Sequence, residues 1–504
     1  MDMRPFAQCL LALCLPLAPA SAQRQGAATI TPADIAARVG VLADDSMGGR
    51  FTPSPELDRA ADYVAAEFAR FGLEPAGDSG GFIQRYTLEQ PVPDTAGSFI
   101  TIGRTRIRFG TDAIPWAAGG TVEPVTGRTV LVTGMLPPRR GLDLEGAIVI
   151  AAVGTDGTGQ PTAQGRAVLR AITQANPAAV LIPVDSPDEV WPTVVSQRFR
   201  TVLAPAWLSS RGIPHVEVRD RAIGPALGAV GVDLGVARQS TGEVQTRPLD
   251  LPIIVVSRTR AAEATTAPNV AALLRGADPV LRDEVIVVSA HMDHVGVTGR
   301  GRCRAVGADS ICNGADDNAS GTVSVIELAE AFATQAPRPR RSILFLTVSG
   351  EERGMWGSDY FAAHPPVPID QLVADINLDM VGRNWPDTIV AIGREHSDLG
   401  TTLGRVEAAH PELRMTVRDD PWPNERFYYR SDHYNFARRG VPVLFFFNGT
   451  HVDYHRPSDH PDKIDAEKQA RLTQLVFYLV DEIANAPTRP QWVPRSYREI
   501  VDSN

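Results

Sequence analysis

Apolar residues from Leu57 onward recur at helical spacing: Leu57, Ala60, Ala61, Val64, Phe68 and Leu73 fall on one face. With Thr31 or Asp34 as a cap, residues 31–72 are expected to be helical. Residues 82–109 then alternate apolar and polar positions and read as strands. From about Ile114 the pattern changes to short strand-like runs at 129–133, 147–153, 179–183 and 215–218, cut by Gly, Pro and Asp. Asp143-Leu144-Glu145-Gly146 is a turn feeding the second of these runs. This region holds one histidine, His215, and no carboxylate–histidine cluster, so it reads as an inserted non-catalytic domain.

From Leu251 a different rhythm begins. Residues 283–290 are a β-branched run, and 320–335 predict a helix that buries Val323, Ile326, Leu328, Ala329 and Phe332. Further strands are expected at 342–348, 374–378 and 441–447. Strands alternating with helices predict an α/β fold, a mixed and largely parallel sheet flanked by helices, with a smaller domain inserted. The expected divisions are 23–115 and 251–485 for the main domain, 116–250 for the insert and 486–504 for a C-terminal tail. In such sheets, sites form beyond the carboxyl ends of the strands.

Composition narrows the class. The chain has 504 residues, 43% hydrophobic and 21% charged, which excludes a mainly disordered chain, a collagen-like chain and a disulfide miniprotein. Lys and Arg number 49 against 59 Asp and Glu, a net charge of −10 with no basic block, so no nucleic-acid partner is expected. Arg4, the apolar run 6–18 and Ala20-Ser21-Ala22 read as a secretory leader over 1–22, cleaved after Ala22. That places the mature protein in the periplasm or outside the cell. The run is too short to span a bilayer, and no later apolar segment is long enough, so no stable membrane insertion is expected. Cys9 and Cys14 leave with the leader. Cys303 and Cys312 remain, and an even pair in an exported protein is expected to form a disulfide.

The chemistry-bearing residues follow the expected strand ends. His291-Met292-Asp293 follows the first strand, and Asp316-Asp317-Asn318 opens the helix. Glu351-Glu352 follows the second strand, Asp379 ends the third, and His455 lies beyond the fourth. A pair of divalent metals needs such a set, because a bridging carboxylate can hold two ions about 3.5–4 Å apart. His291, Asp317 and Asp379 suit one ion, and Asp317, Glu352 and His455 the other; imidazole nitrogen and carboxylate oxygen are zinc donors. On an extended segment His291 and Asp293 point the same way, so Asp293 can accept the proton on the second ring nitrogen. Of the two adjacent glutamates we take Glu352 as ligand and Glu351 as general base, an order that spacing leaves open.

These stretches resemble the co-catalytic zinc exopeptidase family that includes bacterial leucyl-type aminopeptidases, aminopeptidase Y and glutamate carboxypeptidase. The resemblance rests on Ser289-Ala290-His291-Met292-Asp293-His294, Asn313-Gly314-Ala315-Asp316-Asp317-Asn318-Ala319-Ser320-Gly321, Ser349-Gly350-Glu351-Glu352, Asn377-Leu378-Asp379-Met380 and Tyr454-His455-Arg456-Pro457-Ser458-Asp459, in the family's order. It covers about 265–485 and, more loosely, 30–115, where Asp45-Ser46-Met47-Gly48-Gly49-Arg50 fits. It implies the zinc exopeptidase fold, two Zn²⁺ on the ligands above, Asp317 as the bridge and Glu351 as the base. It also implies that Tyr428, three residues before Ser431-Asp432-His433, steadies the oxyanion, with Tyr429 as its rival. Some members hold a cis peptide after the bridging Asp, here Asp317–Asn318. Asp143-Leu144-Glu145-Gly146-Ala147-Ile148-Val149, with Ala178-Ala179-Val180-Leu181-Ile182, makes the insert similar to a protease-associated domain.

The implied activity is hydrolysis at a peptide end by metal-activated water, with peptides as substrates. An aminopeptidase is expected. A carboxypeptidase or dipeptidase of the same chemistry would need a cationic pocket, for which Arg383, Arg426 and Arg430 are candidates. A non-catalytic binding protein on the same scaffold should have lost ligands, and none is missing. His294 is expected in the wall of the site, His433 in the core, and His451 and His460 as weaker rivals of His455. Co²⁺ or Mn²⁺ could replace zinc on such donors, and the oligomeric state is not legible.

Overall fold

The computed structural model describes residues 25–115, 123–136, 138, 141–155, 161–199, 202–209 and 213–502. The expected leader at 1–22 lies outside the described residues. Among the described residues the sheet that carries the site has ten strands, of which Glu74–Pro75 and Ala204–Pro205 span two residues each and eight are longer. In chain order the eight are β1 (Ile83–Pro93), β2 (Thr259–Leu274), β3 (Val285–His291), β4 (Ser342–Val348), β5 (Leu372–Asp379), β6 (Thr388–Ile392), β7 (Thr416–Arg418) and β8 (Val443–Phe447). Their order across the sheet is β1-β2-β4-β3-β5-β8-β6-β7. The central strands β4, β3, β5 and β8 are mutually parallel, while β2 pairs antiparallel with β4 and β6 antiparallel with β8. The fold is therefore mixed α/β, as expected.

Every residue of β3, β4, β5 and β8 is buried, which explains their near-continuous apolar runs. Successive side chains still divide between two faces. Ile286, Val288 and Ala290 enter one core with Leu57, Val64, Phe332 and Phe477. Val285 and Val287 enter the other with Leu344, Phe361, Phe436 and Phe445. The first core is closed by four helices, α1 (Pro32–Leu42), α2 (Pro55–Arg70), α3 (Gly321–Thr334) and α5 (Ala466–Asn485). The second includes α4 (Trp356–Ala363).

The helix expected over 31–72 is two helices. Thr31 caps α1, its hydroxyl accepting from the Asp34 amide at 3.1 Å, and Ser54 caps α2. Between them Gly48 and Gly49 adopt φ of 50° and 62°, and the Thr52–Pro53 bond is cis. A Cβ on Gly49 would lie 2.4 Å from the Cys312 carbonyl oxygen. This break is what lets Arg50 turn inward, as described below.

The chain divides into two compact units, Met1–Tyr86 with Thr266–Asn504, and Thr87–Thr265. The insert is thus wider than the 116–250 expected. Ala113–Pro115 pairs with His215–Arg219, and Phe99–Ile102 pairs with Ile253–Val256, so both flanks belong to the inserted unit. Its six-stranded sheet runs Gln245–Leu249, Thr129–Thr133, Ile148–Ala152, Ala179–Val184, His215–Arg219 and Ala113–Pro115. The four middle strands are parallel. The expected tail at 486–504 contains a helix, Pro494–Ile500, and Trp492 donates its indole N–H to the Gly440 carbonyl at 2.8 Å. Among the described residues no helix is long and apolar enough to cross a membrane.

Gly49→Ala should cost about 2–4 kcal/mol, since both its left-handed φ and its missing Cβ are required. A melting curve checks this; an unchanged Tm would show that the loop can shift away.

Candidate metal centre

Four functional side chains stand at or just beyond the carboxyl ends of parallel strands. His291 and Asp379 are the last residues of β3 and β5, and Glu351 and Glu352 follow β4 in a short turn. Asp317 comes from the turn Ala315–Ser320 ahead of α3, and His455 from the loop after β8. The strand ends bring all of them together.

His291 Nε2 lies 3.6 Å from Asp317 Oδ1 and 3.4 Å from Asp379 Oδ1. On the other side of Asp317, His455 Nε2 lies 3.1 Å from Asp317 Oδ2 and 3.0 Å from Glu352 Oε1. Asp317 is therefore shared, one oxygen to each group. Buried polar atoms without a hydrogen-bond partner gather here: Asp317 Oδ2, Glu352 Oε1, His455 Nε2 and both ring nitrogens of His294. Burying polar atoms without partners is costly, and a divalent cation with nitrogen and oxygen donors would satisfy them. The residues present fit such ions.

The bridging carboxylate is held from behind. Asp459 Oδ2 accepts from the amides of Asp316 and Asp317 at 3.0 and 3.1 Å. The Asp317–Asn318 bond is cis, as the resemblance implied. The Asn318 side chain donates to the Leu378 carbonyl and accepts from the amides of Met380 and Gly321, which ties this turn to the end of β5. Ser431 donates to Asp379 Oδ2 at 3.1 Å and accepts from the Asn377 amide group at 3.2 Å.

Asp293 departs from its expected role. The His291 Nδ1 atom lies 3.2 Å from the Asp293 backbone carbonyl, while the Asp293 carboxylate is 3.7 Å away. The carbonyl is the better acceptor for the ring N–H. The carboxylate instead accepts from Thr52 Oγ1 at 2.8 Å and from the Glu351 amide at 3.2 Å. It orients the loop that carries Glu351.

Glu351 lines a cavity with His291, Asp317 and Asp379, walled by Met380, Phe427, Phe445, Phe447, Thr450 and Tyr454. Burial, assisted by Asp432, Glu352 and Asp379, pushes its carboxyl well above the ordinary range, although His291 pulls it down. Glu352 goes the other way. Burial opposes the shift, but the His294 and His455 imidazoles, each 3.0 Å from its carboxylate, hold it well below that range. Two adjacent glutamates thus sit in opposite electrostatic settings.

Tyr428 stands off the cavity wall. It is buried with its ring against His396 and His433, at 4.5 and 5.3 Å between centroids, and it is not among the residues lining the cavity. The short turn Phe427–Tyr429 sends Phe427 to the cavity and Tyr428 into the core. The phenol on the cavity wall is Tyr454, stacked on His455 at 3.8 Å. Its only signal in the sequence was its place beside the ligand.

The rival histidines separate clearly. His451 Nε2 pairs with Asp316 Oδ2 at 3.2 Å, and His460 reaches Asp309 at 3.4 Å. His433 stacks on Phe445, and burial pulls its pKa down to about 3. Of the three arginines, Arg383 pairs with Asp453, Arg426 lies over the Tyr429 ring, and Arg430 lines the cavity. Cys303 and Cys312 are joined in a disulfide just before Asn313.

One residue was placed by motif but given no role. Arg50 is fully buried and donates to four backbone carbonyls: Met292, Leu42, Asn313 and Gly314. It clamps the loop after β3 to the loop before α3. Burial lowers its pKa to about 10, with Asp317, Asp293 and Asp459 opposing, so it stays cationic at neutral pH.

Residues 269–480 match the model of Peptidase family M28, and that span contains every member of the cluster. The chain is 27% identical over 265 residues to a probable zinc metalloprotease of Pyricularia oryzae, covering 44% of this chain and 50% of that one. It is 25% identical over 227 residues to a probable leucine aminopeptidase of Arthroderma otae, covering 44% and 58%. It spans about half the length of the curated relatives it matches. Among solved structures, an aminopeptidase from Aneurinibacillus sp. strain AM-1 aligns over 93% of this chain and 97% of that one, at 20% identity and a TM-score of 0.49.

Arg50→Gln strips donors from several buried carbonyls and should cost on the order of 3 kcal/mol or more. Chemical denaturation with the metal-loaded protein checks this, and a loss under about 1 kcal/mol would mean that the clamp is dispensable.

Proposed function

With a Peptidase family M28 domain over residues 269–480 as the premise, we propose that this chain is an exported, zinc-dependent exopeptidase, an aminopeptidase that removes N-terminal residues from peptides. The observation that carries this is the carboxylate of Asp317 shared between two donor groups, with the free Glu351 beside them on the cavity wall. The donor sets comprise His291, Asp317 and Asp379 on one side and Asp317, Glu352 and His455 on the other. Bound cations supply Lewis acidity, lowering the pKa of a water towards 7 and polarising the scissile carbonyl.

The chain's own residues do the rest. Glu351 takes the proton of the attacking water and passes it to the leaving amine. The Tyr454 hydroxyl, on the same wall, donates to the oxygen on which negative charge develops. Met380, Phe427, Phe445 and Phe447 accept an apolar side chain and exclude water. Asp293 fixes Glu351 through its amide, and Ser431 fixes Asp379. The leader at 1–22 supports export to the periplasm or beyond, and the parallel middle of the inserted sheet is in keeping with a protease-associated domain.

A second reading is favoured by Arg430. Arg430 lines the cavity, its guanidinium lies over Phe427 at 4.8 Å, and it donates to the Glu425 carbonyl at 3.4 Å and the Glu425 carboxylate at 3.5 Å. A substrate α-carboxylate could take that place, which would make the enzyme a carboxypeptidase or dipeptidase. One leucyl peptide offered free, N-acetylated and C-amidated separates the two. An aminopeptidase cleaves the free and amidated forms only. Dependence on a free C-terminus would replace that reading, and no cleavage of any form would overturn both.

Glu351→Gln should lower kcat about 10²–10⁴-fold while the protein still binds metal; near-normal kcat would remove Glu351 from its role. Tyr454→Phe should lower kcat by up to about 100-fold with little change in KM. Tyr428→Phe should stay within about twofold. Steady-state kinetics on the pair decides between the two phenols, and the reverse order would restore Tyr428.

A further inference from the structure

His294 is fully buried, three residues beyond the end of β3, and its amide donates to the Arg50 carbonyl at 3.2 Å. Its ring fits only because Gly314 has no side chain: a Cβ there would stand 2.5 Å from the His294 Cγ. Gly314 itself adopts φ 61° and ψ 55°, a left-handed conformation that suits glycine. The imidazole so placed has Nδ1 3.0 Å from Glu352 Oε1 and 3.5 Å from Asp317 Oδ2. Its centroid is 5.5 Å from that of His455, edge to face. One donor atom from each of His294, Asp317, Glu352 and His455 falls within 4.8 Å of all the others.

We propose that His294 is a fourth protein donor, through Nδ1, to the cation held by Asp317, Glu352 and His455. This rests on the two-cation reading given above. The two halves of the centre are then unequal, with four protein donors on one side and three, His291, Asp317 and Asp379, on the other. Zinc sites with four protein donors are closed and structural, whereas catalytic sites keep three and an open position. The half with four protein donors is expected to hold its ion more tightly than the half with three.

The competing role for His294 is a hydrogen bond to Glu352 that merely orients it. His294→Asn separates the two, because an Asn amide can reach the place of Nδ1 and still donate to a carboxylate, but is a poor zinc donor. The chelator-stripped full chain is titrated with Zn²⁺ against a competing chelator. Wild type should show one tight and one weaker site. His294→Asn should lose the tight step by about 100-fold or more, the upper end of what an orienting partner costs. His291→Asn should weaken the other step alone. Unchanged affinities in His294→Asn would overturn the proposal while leaving the two-cation reading intact. No zinc binding by wild type would sink that reading itself. Should His294→Asn fail to fold, X-ray absorption of wild type loaded with one equivalent of Zn²⁺ counts the imidazoles on the tight site. Two are expected, and one contradicts the proposal.

Discussion

Four carboxylates crowd one end of this sheet, and their mutual repulsion is the constraint on which the rest depends. Asp317, Glu352 and Asp379 direct oxygens into one small space, and Glu351 lies on its wall. Burial strengthens like-charge repulsion, because the interior screens it less than water does. Arg50 is a buried cation close to the site, but its guanidinium is spent on backbone carbonyls. Divalent cations would resolve the arrangement, and the rest of the unit holds their candidate ligands at fixed separations.

The sheet provides that fixity. Parallel β3, β4, β5 and β8 end at one edge, so their last residues converge without long loops. What the strands do not supply comes from turns pinned to them. The Asn318 side chain ties the Asp317 turn to Leu378 and Met380, and Asp459 holds the same turn by two amides. Arg50 reaches in from the break between the first two helices and fastens the loops after β3 and before α3. The inserted unit leaves the chain after Tyr86 and returns it at Thr266, in the strands β1 and β2, at a distance in sequence from every ligand.

The central strands were legible because both faces are buried, which forces continuous apolar runs that no other element needs. Of the candidate ligands, His291 and Asp379 end such runs and Glu352 follows one, whereas Asp317 precedes a helix and His455 lies in a loop. The break between α1 and α2 was lost in a helical rhythm that continues on either side, although Gly48-Gly49 and Pro53 marked it. The flanks of the insert were missed because strand pairing across more than a hundred residues, Ala113–Pro115 with His215–Arg219, has no local signature. The orientation of Tyr428 and Asp293 was not legible, for a finer reason. Spacing places a residue near a site but does not say which way a short turn points its phenol. Nor does it say whether a carboxylate or its own backbone carbonyl reaches the imidazole first. His294 looked superfluous while each ion already had its ligands, and only the fold shows how close it comes.

The most direct test of a centre built around a shared Asp317 is the number of ions it holds. Chelator-stripped protein dialysed to equilibrium with Zn²⁺ and analysed for metal should bind two ions per chain. A single ion at saturation would contradict the shared carboxylate, and none would remove the metal centre altogether.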